Sequence, residues 1–89
     1  MAYRVELAES ADRELAALDA QPRKRILKFL LERLARLDDP RSIGEALHGS
    51  QLGEFWKYRV GDYRLIAKIE DDRILVLILR VGHRKEIYR

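Results

Sequence analysis

Positively charged side chains on two consecutive apolar-rich segments are the residues of this sequence best suited to chemistry. The pair Gly61-Asp62 separates these segments, which is the spacing of a tight antiparallel hairpin. Such a turn puts Arg59 opposite Arg64, and alternation then groups the basic residues of both segments on one face of the sheet. This basic face contains Lys57, Arg59, Arg64 and Lys68.

Two arginines that face each other across strands destabilise a sheet by up to about 1 kcal/mol. A phosphate between the two guanidiniums offsets that cost, because each donates charge-assisted hydrogen bonds to it. The pattern therefore favours a phosphate-binding face. The alternative is a solvated face whose arginines pair with nearby carboxylates and have no further role; the candidates are Asp62, Glu70 and Glu86.

The C-terminal tail adds further candidates. Arg84 and Tyr88 are four residues apart, so they fall on one side of the tail whether it is extended or makes a helical turn. This spacing would bring both to the rim of the basic face. The alternative for Tyr88 is an aromatic packing residue that fixes the C-terminus.

Hydrophobic periodicity predicts the elements that position these residues. The order is βααβββ, with strands over 2–7, 54–60, 63–70 and 73–80, helices over 11–18 and 22–37, a loop over 40–53 and a tail over 81–89. Ser10 is the expected N-cap of the first helix, and Asp71-Asp72 the expected two-residue turn of the second hairpin. We expect an α+β fold in which two N-terminal helices pack on one face of a small, mostly antiparallel four-stranded sheet.

Side chains alternate between the two faces of a sheet, so the residues between the basic ones form a separate core face. The core face contains Trp56, Tyr58, Val60, Tyr63, Leu65, Ala67 and Ile69, and it is apolar enough to take the helices. The last strand is apolar on both faces, which predicts an interior position in the sheet. We expect the tail to cover its second side, with the chain bending at Gly82.

Composition sets the limits of function. The 89 residues are enough for one hydrophobic core, so residues 1–89 are predicted to form a single domain. The net charge of +3 favours an anionic partner, and the absence of cysteine excludes disulfides and thiolate sites. Two widely separated histidines make a zinc site improbable, so we expect no metal or cofactor. The chain has neither a long apolar run nor a basic-then-apolar N-terminus, which predicts no membrane association and a cytoplasmic protein.

The sequence resembles the RelE/ParE superfamily of toxins from toxin–antitoxin systems, and within it the RelE-like messenger-RNA interferases. Residues 52–65 and 81–88 carry the specific part of the resemblance, which extends over nearly the whole chain. It implies ribosome-dependent cleavage of mRNA, restrained by a cognate RelB-like antitoxin. The implied partners are therefore the antitoxin, the ribosome and mRNA.

The resemblance also implies roles for individual residues. Arg64 resembles the family's phosphate-holding arginine in a tyrosine–arginine strand motif. Lys57 and Arg59 resemble two basic residues of the preceding strand, and Arg84 and Tyr88 resemble the arginine and tyrosine that follow the final strand. Residues with secondary RNA-binding roles are expected to be Lys68, His83 and Lys85.

RNA cleavage of this kind uses the 2′-hydroxyl of the substrate as nucleophile. The protein then has to align that hydroxyl with the phosphorus, neutralise the developing charge and move protons. Arg64 and Arg84 fit the electrostatic role, because arginine stays protonated. Lys57 or Tyr88 would move protons. Two rival functions are a ParE-like inhibitor of DNA gyrase and a nucleic-acid-binding module without catalysis.

Overall fold

Two helices and five strands make up residues 2–47 and 55–87, the part of the chain that the computed structural model describes. The elements are β1 (Arg4–Leu7), α1 (Glu9–Ala16), α2 (Ala20–Lys28), β2 (Glu45–Ala46), β3 (Phe55–Val60), β4 (Tyr63–Glu70) and β5 (Leu75–His83). A π-helical turn at Phe29–Arg33 and a 3-10 turn at Leu34–Arg36 continue α2. No helix within the described ranges is long and apolar enough to cross a membrane.

The strands form one sheet in the order β1-β5-β4-β3-β2. Strand β1 runs parallel to β5, and the other neighbours are antiparallel. The register predicted from the Gly61-Asp62 turn is confirmed: Arg59 pairs with Arg64 and Lys57 with Ile66. The prediction of four strands was wrong by one, because β2 has only two residues and is too short for any alternation to reveal it.

The hydrophobic core lies between the helices and one face of the sheet. The helical segments contribute Ala11, Leu15, Ile26, Leu30 and Leu34, and the sheet contributes Tyr58, Val60, Leu65, Ala67, Ile69, Val76, Ile78 and Val81. Trp56 and Tyr63 are partly buried against this cluster. The predicted core face is therefore confirmed, and the basic face is the opposite side of the same strands.

Strand β5 lies between β1 and β4, as its two apolar faces predict. The predicted bend at Gly82 was wrong, since β5 continues through His83 and the chain turns over 84–87. Gly82 instead allows a close approach. A Cβ at this position would lie 3.1 Å from Ile87 Cδ1, and the Ile87 side chain covers the glycine while remaining only 3% exposed.

Two local predictions were wrong because tertiary contacts use the residues differently. Helix α1 begins at Glu9, and the Ser10 hydroxyl donates to the Leu79 carbonyl at 2.8 Å instead of capping the helix. The β4–β5 connection is a 3-10 turn at Asp71–Arg73 followed by Ile74 in the left-handed region (φ 49°). Tyr3 and Arg41 both donate to the Asp71 carboxylate, which anchors this longer turn.

Candidate nucleic-acid interface

Arg59 and Arg64 face each other on adjacent strands at the end of the sheet formed by the β3–β4 turn. The register pairs Arg64 with Arg59 on one side and with Gly82 of β5 on the other. Paired residues in a sheet project to the same face. The side chains of Arg59 and Arg64 therefore leave the sheet side by side, on the face opposite the helices.

The Arg64 guanidinium is held by the backbone of the turn. Its Nη1 donates to the carbonyls of Gly61 at 3.0 Å and of Tyr63 at 2.9 Å. Gly61 has a φ of +60°, a conformation that favours glycine and that the tight turn requires. Nε and Nη2 of Arg64 have no partner within the described ranges, so a positioned cation keeps donors for a ligand.

Arg59 is exposed and makes no hydrogen bond or ion pair within residues 2–47 and 55–87. Glu70 pairs with Arg73 at 3.5 Å and Asp62 lies 3.9 Å from Arg84. In the described part of the chain, no carboxylate neutralises the Arg59–Arg64 pair. Within the described residues, neither arginine pairs with the carboxylates of that alternative, Asp62, Glu70 and Glu86.

Lys57 precedes Arg59 by two residues and so shares the basic face. Its Nζ lies 3.4 Å from Glu45 Oε2 on the neighbouring strand β2. Sequence reasoning missed Glu45, because the short strand that positions it has no periodic signal. The carboxylate holds the lysine at the edge of the face and competes with any anion that binds there.

Arg84 joins this group from the tail. Its backbone N–H donates to the Asp62 carbonyl at 2.8 Å, and its Nε lies 3.9 Å from Asp62 Oδ1. The β3–β4 turn and the beginning of the tail are thus tied together. The structure brings Arg59, Arg64 and Arg84 to one end of the sheet, with Lys57 one step along β3; Tyr88 lies outside the described residues.

The three residues with predicted secondary roles are not grouped together. Lys68 pairs with Phe55 and Leu77, on the basic face but toward its far end. His83 pairs with Tyr63 on the helix side, where the two rings meet edge to face at 5.6 Å. His83 Nδ1 accepts the N–H of Lys85, an exposed residue of the final turn, at 3.2 Å. The structure therefore separates His83 from Arg64.

Hydrogen bonds between helix α1 and strand β5 hold the part of β5 that leads to this end of the sheet. Glu14 of α1 accepts from Arg80 Nη2 at 3.0 Å and from the Val81 N–H at 3.0 Å. Partial burial of Glu14 acts to raise the pKa of its carboxyl, but the hydrogen bonds from Arg80 and Val81 outweigh it and the pKa lies below the usual value. Arg80 is thereby neutralised and does not add to the basic face.

The described residues offer no cluster of three or more His, Cys, Asp or Glu side chains arranged to hold a metal ion. What the arrangement offers is positive charge: one guanidinium held by the turn, an exposed one at Arg59, and a lysine with a carboxylate neighbour. Such groups bind and stabilise phosphate oxyanions.

Comparisons with known proteins agree with this architecture. Toxin RelG of Mycobacterium tuberculosis is 36% identical over 89 residues, which cover 100% of this chain and 99% of the relative. The mRNA interferase toxin RelE of Escherichia coli is 31% identical over 90 residues, covering 99% and 92%. A chain in the crystal structure of the toxin–antitoxin complex RelBE2 from M. tuberculosis superposes with a TM-score of 0.84 at 31% identity, covering 97% of this chain and 95% of that one.

Residues 5–88 match the family described as ParE toxin of type II toxin–antitoxin system, parDE. The match takes in both helices, strands β2 to β5, most of β1 and the basic face. The chain therefore belongs to the RelE/ParE superfamily and is a RelE-like toxin of a type II toxin–antitoxin system.

Proposed function

We propose that this toxin is a cytoplasmic endoribonuclease that inhibits translation by cleaving mRNA on the ribosome. The observation that carries the proposal is the Arg59–Arg64 pair. Two adjacent guanidiniums without a carboxylate partner in the described residues are unfavourable in the free protein. A bound phosphodiester removes that repulsion, so the arrangement has a physical reason in the complex that it lacks in the free chain.

The proposed reaction needs no metal ion. The 2′-oxygen of one nucleotide attacks the adjacent phosphorus, the P–O5′ bond breaks, and the 2′-proton passes to a base while the 5′-oxygen receives a proton. The products are a 2′,3′-cyclic phosphate and a free 5′-hydroxyl. This stoichiometry balances without a water molecule.

The residues divide these tasks between them. Arg64, held by two turn carbonyls, stabilises the charge on the non-bridging oxygens without having to reorganise. Arg84 approaches from the tail and adds to that stabilisation. Lys57 and Arg59 assist the leaving 5′-oxygen, and Tyr88 is the proposed base for the 2′-hydroxyl, with the ribosome completing the substrate geometry.

We further propose that a RelB-like antitoxin is the cognate partner. The similar M. tuberculosis chain was crystallised in a toxin–antitoxin complex. An acidic or amphipathic segment that covers the basic face would satisfy the unpaired guanidiniums and exclude RNA from them. Inhibition would then follow from direct occupation of the phosphate site.

A reconstituted translation assay with end-labelled mRNA tests the function. We expect wild-type protein to cut ribosome-bound mRNA and leave 5′-hydroxyl ends, and Arg64→Gln to lower the cleavage rate by roughly 10²–10³-fold. The matched control is Arg73→Gln, on the turn at the other end of β4, which should cut normally. An Arg64→Gln protein that is folded and cuts as fast as wild type contradicts the proposal, and 5′-phosphate ends contradict the mechanism.

The ParE description of the matching family favours inhibition of DNA gyrase as a second candidate. That function requires binding alone. A supercoiling assay with purified gyrase, run beside the translation assay, separates the two. Loss of supercoiling without mRNA cleavage would identify a gyrase inhibitor.

A further inference from the structure

A second cationic surface lies beside the β3–β4 hairpin, on the side of α2. It is a groove of about 300 Å³ whose lining includes four cationic residues, Arg25, Lys28, Arg33 and Arg59. Phe29 and Val60 contribute an apolar part of its lining. We call it the helix-side groove.

The groove exists because β2 is short. Strand β2 pairs only with Trp56 and Lys57, so the next residues of β3 have no strand on that side within the described ranges. The Leu47 N–H donates to the Phe55 carbonyl at 3.0 Å, on the β2 side of β3. Backbone groups alternate along a strand, so the N–H of Arg59 also points to this open side. The groove therefore has a backbone donor next to its arginine.

The charge of the groove is unbalanced. None of the four cations forms an ion pair with a carboxylate in residues 2–47 or 55–87, and Glu32 is the one carboxylate in the described lining. The Arg25 guanidinium lies beside the turn, since a Cβ on Gly61 would lie 2.7 Å from its Nη1. Because Gly61 has no side chain, there is room for the Arg25 guanidinium beside the hairpin.

We propose that the helix-side groove binds single-stranded RNA that continues from the phosphodiester on the basic face. This rests on the proposed function for the identity of the substrate. Arg59 belongs to both surfaces: it pairs with Arg64 on the sheet and lines the groove. One strand of RNA follows that continuity around the open edge of β3.

The lining fits this ligand better than it fits an acidic peptide. Single-stranded RNA presents phosphates and flat apolar bases in regular succession, which matches cations around an apolar floor. The volume is near the lower limit of small-molecule sites, which suits one nucleotide unit. The nucleotide beside the scissile bond is then held by α2 and by the β3 edge together.

Binding of 2′-O-methylated RNA tests the proposal, because such RNA lacks the nucleophile and cannot be cut. The groove variant is Lys28→Gln with Arg33→Gln. The matched control is Lys24→Gln with Arg36→Gln, which removes the same charge from exposed positions of the same helical segment outside the groove lining. Fluorescence anisotropy is measured over a series of salt concentrations with a dinucleotide and with a decanucleotide.

We expect the groove variant to bind the decanucleotide about tenfold more weakly and to reduce the salt slope by roughly 1.4, for two lost phosphate contacts. The control should stay within about twofold of wild type, and the dinucleotide should distinguish neither variant. Equal losses in both variants would overturn the proposal, since general electrostatics would then explain the binding. It is also overturned if binding of a polyglutamate peptide, and not of RNA, depends on the groove.

The outcome is independent of the cleavage assay. Groove-dependent RNA binding by a protein that does not cut ribosome-bound mRNA would leave the groove standing and remove the proposed function. If the protein cuts ribosome-bound mRNA but the groove variant binds the decanucleotide as tightly as wild type, the proposed function stands and the proposed role of the groove is wrong.

Discussion

The repulsion between Arg59 and Arg64 can be measured directly by removing each charge. Opposed side chains in an antiparallel pair have Cβ atoms about 5 Å apart. At a charge separation of about 6 Å in water, Coulomb's law gives a repulsion of about 0.7 kcal/mol. Arg59→Gln should therefore raise the free energy of unfolding by about 0.5 kcal/mol, equivalent to roughly 2–4 °C in Tm for a domain of this size.

Arg64→Gln should behave differently, because Arg64 also donates to the carbonyls of Gly61 and Tyr63. Losing two such hydrogen bonds costs about 2 kcal/mol and relief of the repulsion returns about 0.5, so we expect a net loss of about 1.5 kcal/mol. In the double variant, the gain from Arg59→Gln should disappear. The coupling energy between the two sites is then repulsive, at about 0.5–0.7 kcal/mol.

The coupling energy comes from a double-mutant cycle: the free energy of unfolding is measured in urea, at low and high salt, for wild type, both single variants and the double variant. The coupling should shrink toward zero near 1 M salt, where the screening length falls to about 3 Å. Arg36→Gln is the control, an exposed arginine outside the sheet that loses the same charge. A coupling of zero at low salt, or an attractive one, would refute the claim that the free protein holds these arginines together at a cost in stability.

Three other substitutions test the contacts that support this end of the molecule. Burial acts to raise the pKa of Glu14, but hydrogen bonds from Arg80 and from a backbone N–H lower this pKa overall. The charged carboxylate therefore stabilises the fold above the unfolded-state pKa of about 4.3, and this stabilisation is lost as the pH falls through the lower pKa of the folded state. Glu14→Gln should cost about 0.5–1 kcal/mol at neutral pH, and thermal unfolding across pH should show this difference closing in acid; a difference independent of pH contradicts it. Gly61→Ala should cost about 1–2 kcal/mol in urea unfolding, because alanine is strained at the positive φ of this position, and an unchanged midpoint would count against the fixed turn. Tyr58→Phe leaves a buried loop carbonyl without its donor at 2.7 Å, for an expected loss of about 1–3 kcal/mol by the same assay, whereas a neutral result means that another donor reaches that carbonyl.

Sequence reasoning recovered the hairpin because a single turn determines it. Gly61-Asp62 leaves one register for the strands on either side, and that register determines which side chains share a face. The Arg59–Arg64 pair, the core face and the interior position of β5 all follow from local spacing. They could be predicted because no distant contact was needed to specify them.

The rest depended on contacts between distant parts of the chain. Strand β2 is formed by pairing with β3, so Glu45 and the ion pair that it makes with Lys57 were invisible in the sequence. The β4–β5 turn is anchored on Asp71 by Arg41, thirty residues before it. The helix-side groove could not be predicted for two reasons: it forms where α2 packs beside the hairpin, and it depends on β2 being only two residues long.

The packing of the core determines where the basic residues lie, because both depend on the register of β3 and β4. A slip of one residue between β3 and β4 would turn Arg59 and Arg64 toward the helices and Tyr58 and Leu65 toward solvent. Burying an unpaired guanidinium costs several kcal/mol, compared with less than about 1 kcal/mol for the repulsion that the native register tolerates. The burial of the apolar face and the cost of burying a guanidinium therefore fix the position of the cations together. Arg59→Gln should therefore weaken RNA binding while raising stability, whereas Arg64→Gln should lower both because it also loses its hydrogen bonds to the turn, and the fold should stay intact in each variant.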